Sequence, residues 1–285
     1  MSDAVSLTTP WTCPTCKTAV ATDFCPTCGE TRMRPRDLTL RDLLDQIVEA
    51  FVSIDAKLLR TLRAVLFKPG ALTIAYLEGR RKSYIKPLQL FLVANLLFFG
   101  MQSLTHQNIF STPFASHLNG QDWSPFAQDL VARRLAATGR TMEAYAPVFD
   151  RAILLNAKSL IFLMALFFTA LLPFLFRRGG RLFVGHAVFA LHLYAFLLFV
   201  FCAALAIAEV HVLLGGEDLQ SESFDLIITL AWIAASAAYL YVAIGKVYGA
   251  KGAAGVAEAG VLTVAVFALV LGYRFSLLPI TLYST

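Results

Sequence analysis

Residues 183–214 read FVGHAVFALHLYAFLLFVFCAALAIAEVHVLL, and this stretch decides the fold class of the chain. It is almost continuously apolar and exceeds the length of about 20 residues that a helix needs to cross a bilayer. Four other apolar blocks share this character, so we predict five spans, at residues 87–104, 152–176, 183–214, 224–244 and 255–273. The sequence therefore predicts an all-α polytopic membrane protein, with its transmembrane domain over residues 87–285.

The composition supports the same class. Hydrophobic residues make up 58% of the 285 residues and charged residues only 15%, and the mean hydropathy is +0.66. A soluble domain carries about a quarter charged residues. The apolar excess is concentrated in the five blocks, as expected for membrane spans.

Charge between the blocks predicts the orientation. Residues 32–86 carry twelve Lys and Arg, and basic residues also follow the second and fourth spans, whereas residues 215–223 hold three acids and no base. The positive-inside rule then places the N-terminus in the cytosol and the C-terminus outside. The loop at 105–151 has mixed charge and is the weakest part of this pattern. The net charge of +5 is thus a topology signal, and we predict no nucleic-acid partner.

Two CPTC knuckles precede the membrane domain, within residues 1–31. Each CxxC pair brings two thiolates to one ion, and two pairs supply the closed tetrahedron of structural zinc; the ligands would be Cys13, Cys16, Cys25 and Cys28. Two disulfides would need an oxidising compartment, and a redox CxxC would need a βαβ unit that the sequence lacks. We therefore predict a zinc ribbon holding one structural Zn²⁺.

Residues 32–86 connect the ribbon to the first span. Apolar positions recur at helical spacing over 37–66, which predicts an amphipathic helix that ends near Pro69 and Gly70. This helix lies either on the cytosolic membrane face or against the spans. A basic cluster then adjoins span one: Arg80, Arg81, Lys82 and Lys86. It either enforces topology or contacts anionic lipid head groups.

Polar side chains within predicted spans are candidate sites because they are costly in a bilayer. His186 and His192 lie in span three, Asn95 in span one and Asn156 in span two. The histidines are six residues apart, about 240° around a helix, so they cannot bind one ion from a single face. Hydrogen bonding between helices is the alternative role for all four. No catalytic triad, phosphate loop or carboxylate pair supports an enzymatic function.

Several stretches resemble an uncharacterised family of bacterial membrane proteins, a domain of unknown function with an N-terminal zinc ribbon. They are the knuckles, RDLTLRDL at 36–43, RTLRAVLFKPG at 60–70, YLEGRRKSYIKPLQLFL at 76–92 and GHAVFALH at 185–192. The resemblance implies a bacterial inner-membrane protein with zinc at the four ribbon cysteines. It brings no known activity.

Two functions remain open. In the first, the ribbon docks an unknown cytosolic protein or anchors the linker to membrane lipid. In the second, the bundle transports a lipid or small solute past Asn95, His186 and His192.

Overall fold

The computed structural model describes residues 10–32, 57–105, 109–176, 182–214 and 222–285. Most of the predicted amphipathic helix therefore lies outside the described residues. The described elements are β1 (Trp11–Thr12), β2 (Ala19–Val20), α1 (Leu58–Phe67), α2 (Ala71–Leu77), α3 (Pro87–Thr105), α4 (Phe114–Asn119), α5 (Ser124–Thr138), α6 (Met142–Leu160), α7 (Phe162–Leu175), α8 (Phe183–Leu213), α9 (Glu222–Val247) and α10 (Gly252–Ser284). Among the described residues, the regular elements are thus helices and one two-stranded antiparallel sheet, β1–β2.

Five helical segments of the described chain are long and apolar enough to cross a membrane, which confirms the predicted number of spans. They are Pro87–Thr105, Met142–Leu175, Phe183–Leu213, Ile227–Val247 and Gly252–Ser284. The second segment comprises α6 and α7, which are separated at Ile161.

Two of these segments, the second and the fifth, extend well beyond the predicted spans. The second begins at Met142 instead of residue 152, because the Thr141 side chain caps the helix by accepting from the Ala144 amide. The fifth continues past residue 273 to Ser284. Arg274 interrupts its apolar run, but Leu277 and Leu278 beyond it are buried. Hydropathy alone ends a span at such a charge, although the helix continues.

The described residues form two compact units. One contains those of Met1–Ala94, Thr169–Phe199 and Ala235–Gly260; the other contains those of Asn95–Phe168, Val200–Ala234 and Val261–Thr285. We call them the ribbon unit and the loop unit. The ribbon unit holds the four-cysteine ribbon, the basic cluster and both histidines of α8, and the loop unit holds the described residues between the first two spans.

The ribbon unit has a core in which the α1–α2 hairpin packs against spanning helices. Tyr76 on α2 packs with Val184 and Val188 on α8. Gly70, in the turn between α1 and α2, adopts φ +77° and faces the backbone of Ala243 on α9. The described part of the linker thus packs against spanning helices, and contact with a membrane surface stays a prediction.

The loop unit has an aromatic core. The rings of Phe98, Phe110 and Phe201 meet with centroids 5.3 to 5.9 Å apart, and Tyr273 joins them at 5.8 Å from Phe110. These edge-on and tilted contacts bring α3, α8 and α10 together. The segment after α3 returns along this core through Phe110, so part of the predicted outer loop is well packed.

Candidate metal centre and polar groups

The ribbon consists of two knuckles with the same backbone hydrogen bonds. In the first, Lys17 N–H donates to the carbonyl of Cys13, at 2.9 Å, and in the second Gly29 N–H donates to the carbonyl of Cys25, at 2.7 Å. Each closing residue has a positive φ, +64° at Lys17 and +69° at Gly29. Glycine adopts this conformation without steric cost, whereas Lys17 adopts it with some strain. Both knuckles therefore turn their cysteines toward the same point.

The four predicted ligands converge there. Their Sγ atoms all lie within 4.8 Å of one another, with Cys13 and Cys28 at 3.5 Å and Cys16 and Cys25 at 3.4 Å. All four are free thiols. A tetrahedral centre with Zn–S bonds of about 2.3 Å separates its sulfurs by about 3.8 Å. The cluster can therefore bind one metal ion with four thiolates.

The surroundings of one ligand favour the thiolate form that a metal requires. Hydrogen bonding with the side chain and backbone of Thr18 lowers the pKa of Cys16 to about 6. Cys13 and Cys25 are fully buried, so the cluster is closed on one side. A closed four-thiolate set matches structural metal sites, which leave no position for a substrate.

The second knuckle contacts the basic cluster through Glu30, which is 2% exposed. Its Oε2 accepts a hydrogen bond of 2.7 Å from the Thr15 hydroxyl and a longer one, 3.4 Å, from the backbone N–H of Lys82. The carboxylate thus connects the first knuckle to the loop that precedes α3.

The four predicted lipid-contact residues have different surroundings. Arg80 forms an ion pair with Glu78 at 2.5 Å, and the Arg81 guanidinium lies 4.7 Å above the Tyr76 ring. Burial lowers the pKa of Lys86, whereas Lys82 is exposed. Lipid contact stays a prediction for all four, and of the two lysines Lys82 is the more accessible.

The two histidines of α8 are buried and have different hydrogen-bond partners. His186 Nδ1 is 2.9 Å from the Tyr248 hydroxyl, and His192 Nδ1 is 2.9 Å from the Thr73 hydroxyl on α2. Each histidine therefore joins α8 to a different segment of the ribbon unit. This arrangement matches the predicted alternative of hydrogen bonding between helices.

We expect the Thr73–His192 pair to stabilise the docking of α2. Replacing Thr73 by Val leaves a buried imidazole without this hydrogen bond, so the variant should be destabilised by about 1 to 2 kcal/mol. His192→Leu should cost a similar amount, and the double variant should cost less than the sum, because the second change removes the group that the first left unpaired. Thermal unfolding of the native chain, the two single variants and the double variant in detergent measures these losses of stability. Strict additivity would contradict the coupling.

The two asparagines lie in the loop unit. Asn156 Nδ2 donates to the Thr281 hydroxyl at 2.9 Å and to the Ser284 hydroxyl at 3.4 Å, which joins α6 to α10. Asn95 is half-buried on α3. Asn156 thus has a hydrogen-bonding role between helices, and a polar site formed by the four predicted residues stays a prediction.

Sequence reasoning missed two charged residues of α10. Glu258 has a buried Oε2 that lacks a hydrogen-bond partner in the part of the chain that the structure describes. Arg274 donates to the Gln121 side chain at 3.3 Å and lies 3.5 Å from the Thr112 hydroxyl. Both could be found from the sequence as single charges in an apolar run. Their partners could not, because these come from distant segments.

His117 is a second group that the sequence did not single out. Trp123 Nε1–H donates to His117 Nδ1 at 3.2 Å, and the imidazole is fully buried. Burial, with a smaller contribution from the charge of Arg274, lowers the pKa of His117 to about 4. The neutral form with its proton on Nε2 is therefore the one that accepts from Trp123.

We expect acid to break the Trp123–His117 bond at about pH 4. Because the folded-state pKa lies below the usual 6.5, protonation opposes folding: the contribution is intact above pH 6.5 and is lost as the pH falls to about 4. The difference in tryptophan fluorescence between the native chain and Trp123→Phe should titrate near pH 4 and disappear in His117→Gln. A midpoint near 6.5 would contradict the buried neutral imidazole.

Part of the sequence is similar to a family whose function is unknown. A family model described as "Protein of unknown function (DUF3667)" matches residues 55–99. No curated protein and no solved structure matches the chain. The matched segment contains α1, α2, the basic cluster and most of α3, and it includes two of the stretches on which the resemblance was based. The resemblance to an uncharacterised family is therefore confirmed over residues 55–99, which follow four cysteines arranged as a CxxC…CxxC ribbon.

Proposed function

We propose that the chain is a multi-pass protein of a bacterial inner membrane in which a structural zinc ribbon is a docking module on the cytosolic side. The observation that carries this proposal is the convergence of four free thiols within 4.8 Å. Four thiolates in a closed tetrahedron are typical of structural Zn²⁺. The charge bias between the spans supports the orientation, with the N-terminus in the cytosol and the C-terminus outside.

The surface of the ribbon supports a docking role. Phe24 is 61% exposed, in a module whose core is only a few residues. An exposed aromatic ring on a small rigid module suits contact with a partner, because aromatic anchors supply much of the energy of protein interfaces. The cytosolic protein partner is unidentified, and membrane lipid is the other surface within reach of the linker.

Metal analysis of the purified full chain tests the zinc assignment. We expect about one Zn²⁺ per chain, and ribbon thiols that react with a maleimide only after chelation. Cys13→Ser should lose the metal, whereas Cys202→Ser should keep it, because Cys202 lies in α8 and outside the cluster. A metal-free chain with four reactive ribbon thiols would refute the assignment.

Crosslinking in cells tests the docking role. Adducts that depend on the ribbon should be lost in both Cys13→Ser and Phe24→Ala, although Phe24→Ala keeps the metal. Cys202→Ser is the matched control and should retain them. Unchanged adducts in the first two variants would argue against a docking module.

Transport of a lipid or small solute stays a prediction. His186 and His192 each have a separate hydrogen-bond partner, which gives no support to a shared polar path. If substituting both by Phe abolished a transport phenotype without unfolding the chain, this alternative would take precedence.

A further inference from the structure

The ribbon and the basic cluster meet at a contact with two parts. The Glu30 carboxylate accepts from the backbone N–H of Lys82, at 3.4 Å. A Cβ atom added to Gly29 would lie 2.8 Å from Lys82 Nζ, so the ammonium group lies directly against the second knuckle. Both the backbone and the side chain of Lys82 therefore face the residues that immediately follow Cys28.

The position of Glu30 depends on how the two knuckles are held together. The Glu30 carbonyl accepts from Cys25 N–H at 2.7 Å, which closes the second knuckle, and the Glu30 carboxylate accepts from Thr15 in the first knuckle. Glu30 is held by both halves of the ribbon at once. Its position is therefore set by the ligands that bring the halves together.

The charges of the two surfaces are complementary when the metal is bound. Four thiolates around one divalent ion carry a formal charge of about −2, whereas four thiols are neutral. Opposite this centre lies Lys82, in a loop whose neighbours Arg81 and Lys86 are also basic. Zinc loading thus adds negative charge beside a cation, which strengthens the contact.

Other backbone amides near Lys82 donate to groups outside the ribbon. Arg80 N–H donates to the Ala75 carbonyl and Arg81 N–H to the Gly79 carbonyl. Ile85 N–H donates to the Thr61 hydroxyl on α1, at 3.1 Å. The Lys82 amide, by contrast, donates to Glu30 of the ribbon. Its exchange with solvent therefore reports the contact with Glu30.

We propose that the ribbon is a metal-dependent latch on the basic loop of its own chain, with Glu30 and Lys82 as the two contacting residues. This inference rests on the proposed zinc site and deepens it, because it names loop 80–86 as the docking surface. When zinc is bound, the ribbon holds Lys82. When zinc is removed, Glu30 loses its position, and the exposed Lys82 side chain is no longer held beside the second knuckle. Zinc occupancy therefore sets the net charge that the ribbon and the loop together present to the membrane surface.

Site-resolved hydrogen exchange on the full chain in lipid nanodiscs tests the latch. Chelation should accelerate exchange of the Lys82 amide about five-fold or more and leave the Ile85 amide unchanged. Glu30→Ala should produce the same acceleration while zinc stays bound. Equal acceleration at Ile85 would show general loosening and would overturn the latch, as would an unchanged Lys82 amide.

A variant on the loop side keeps the test valid if Glu30→Ala unfolds the ribbon. Lys82→Glu places a negative charge beside the metal centre and alters no ribbon residue. Transfer of zinc to a chelator should then be several times faster than in the native chain, with Lys251→Glu, at an exposed position between α9 and α10, as the control. Equal rates in the two variants would overturn the latch.

These measurements separate the two proposals. A chain that purifies without zinc refutes the proposed zinc ribbon. A chain that contains zinc, but in which neither Glu30→Ala nor Lys82→Glu has the expected effect, refutes the latch alone.

Discussion

Chelation of the metal should unfold residues 11–30 and leave the spanning helices folded. The reason lies in the composition of the ribbon core, which contains Val20 and Trp11 together with the four ligand cysteines. Without metal, most of this core is a group of thiols. A module of about 20 residues cannot bury enough apolar surface to compensate, so metal binding and folding form one equilibrium. Structural zinc supplies about 10 to 16 kcal/mol in comparable small modules at neutral pH.

Hydrogen exchange before and after chelation measures this effect. Protected amides of the ribbon, such as those of Cys13 and Cys25, should exchange at the rate of an unfolded chain. Amides within α8 should keep their protection, because helices in a bilayer satisfy their own backbone groups. Cys25→Ser should reproduce the chelated state in the ribbon, and Cys202→Ser should not. Persistent protection of the ribbon after complete metal removal would contradict the prediction.

We expect Gly70→Ala, in the turn between α1 and α2, to lower the stability of the chain strongly. Gly70 has φ +77°, and a Cβ there would lie 3.1 Å from both the Cα and the carbonyl oxygen of Ala243 on α9. Neither backbone atom can move as a flexible side chain can. The left-handed conformation costs about 1 to 2 kcal/mol for a residue with a side chain, and the contact adds about 1 to 3 kcal/mol of overpacking.

Gly249→Ala is the matched control for this prediction. Gly249 has nearly the same φ, +76°, but an added Cβ would meet nothing within 4 Å. It therefore has the conformational cost without the contact. We expect Gly70→Ala to lower the free energy of unfolding in detergent by about 1 to 3 kcal/mol more than Gly249→Ala does. Equal losses of unfolding free energy in the two variants would mean that the close approach of Gly70 to Ala243 adds no cost.

Much of the fold follows from local pattern. The number of spans is confirmed, because a run of apolar residues that exceeds the bilayer thickness is visible without knowledge of its neighbours. The convergence of the four cysteines is predictable for a similar reason. Each CxxC pair is a local turn, and in a module this small the two pairs lie close to each other. The N-cap that Thr141 supplies, by contrast, extends the second segment through residues too polar for a hydropathy pattern.

The candidate sites within the bundle were less predictable. The sequence places His186 and His192 on different faces of one helix, and it indicates hydrogen bonding as a role. It does not indicate that Tyr248 and Thr73 are the partners, because these side chains lie far away in the chain. In the same way, the pattern shows a basic cluster at 80–86, but not that Lys82 faces Glu30 of the ribbon.

Five apolar spans, a four-cysteine ribbon and a basic linker between them can be recognised in the sequence. These features depend on composition and short spacing, which each segment carries independently of its neighbours. Three contacts are visible in the folded chain alone: the α1–α2 hairpin packs on spanning helices, the two histidines have separate partners, and Glu30 of the ribbon contacts Lys82. Those contacts join residues far apart in sequence, and their geometry is set by close packing, which no local pattern records.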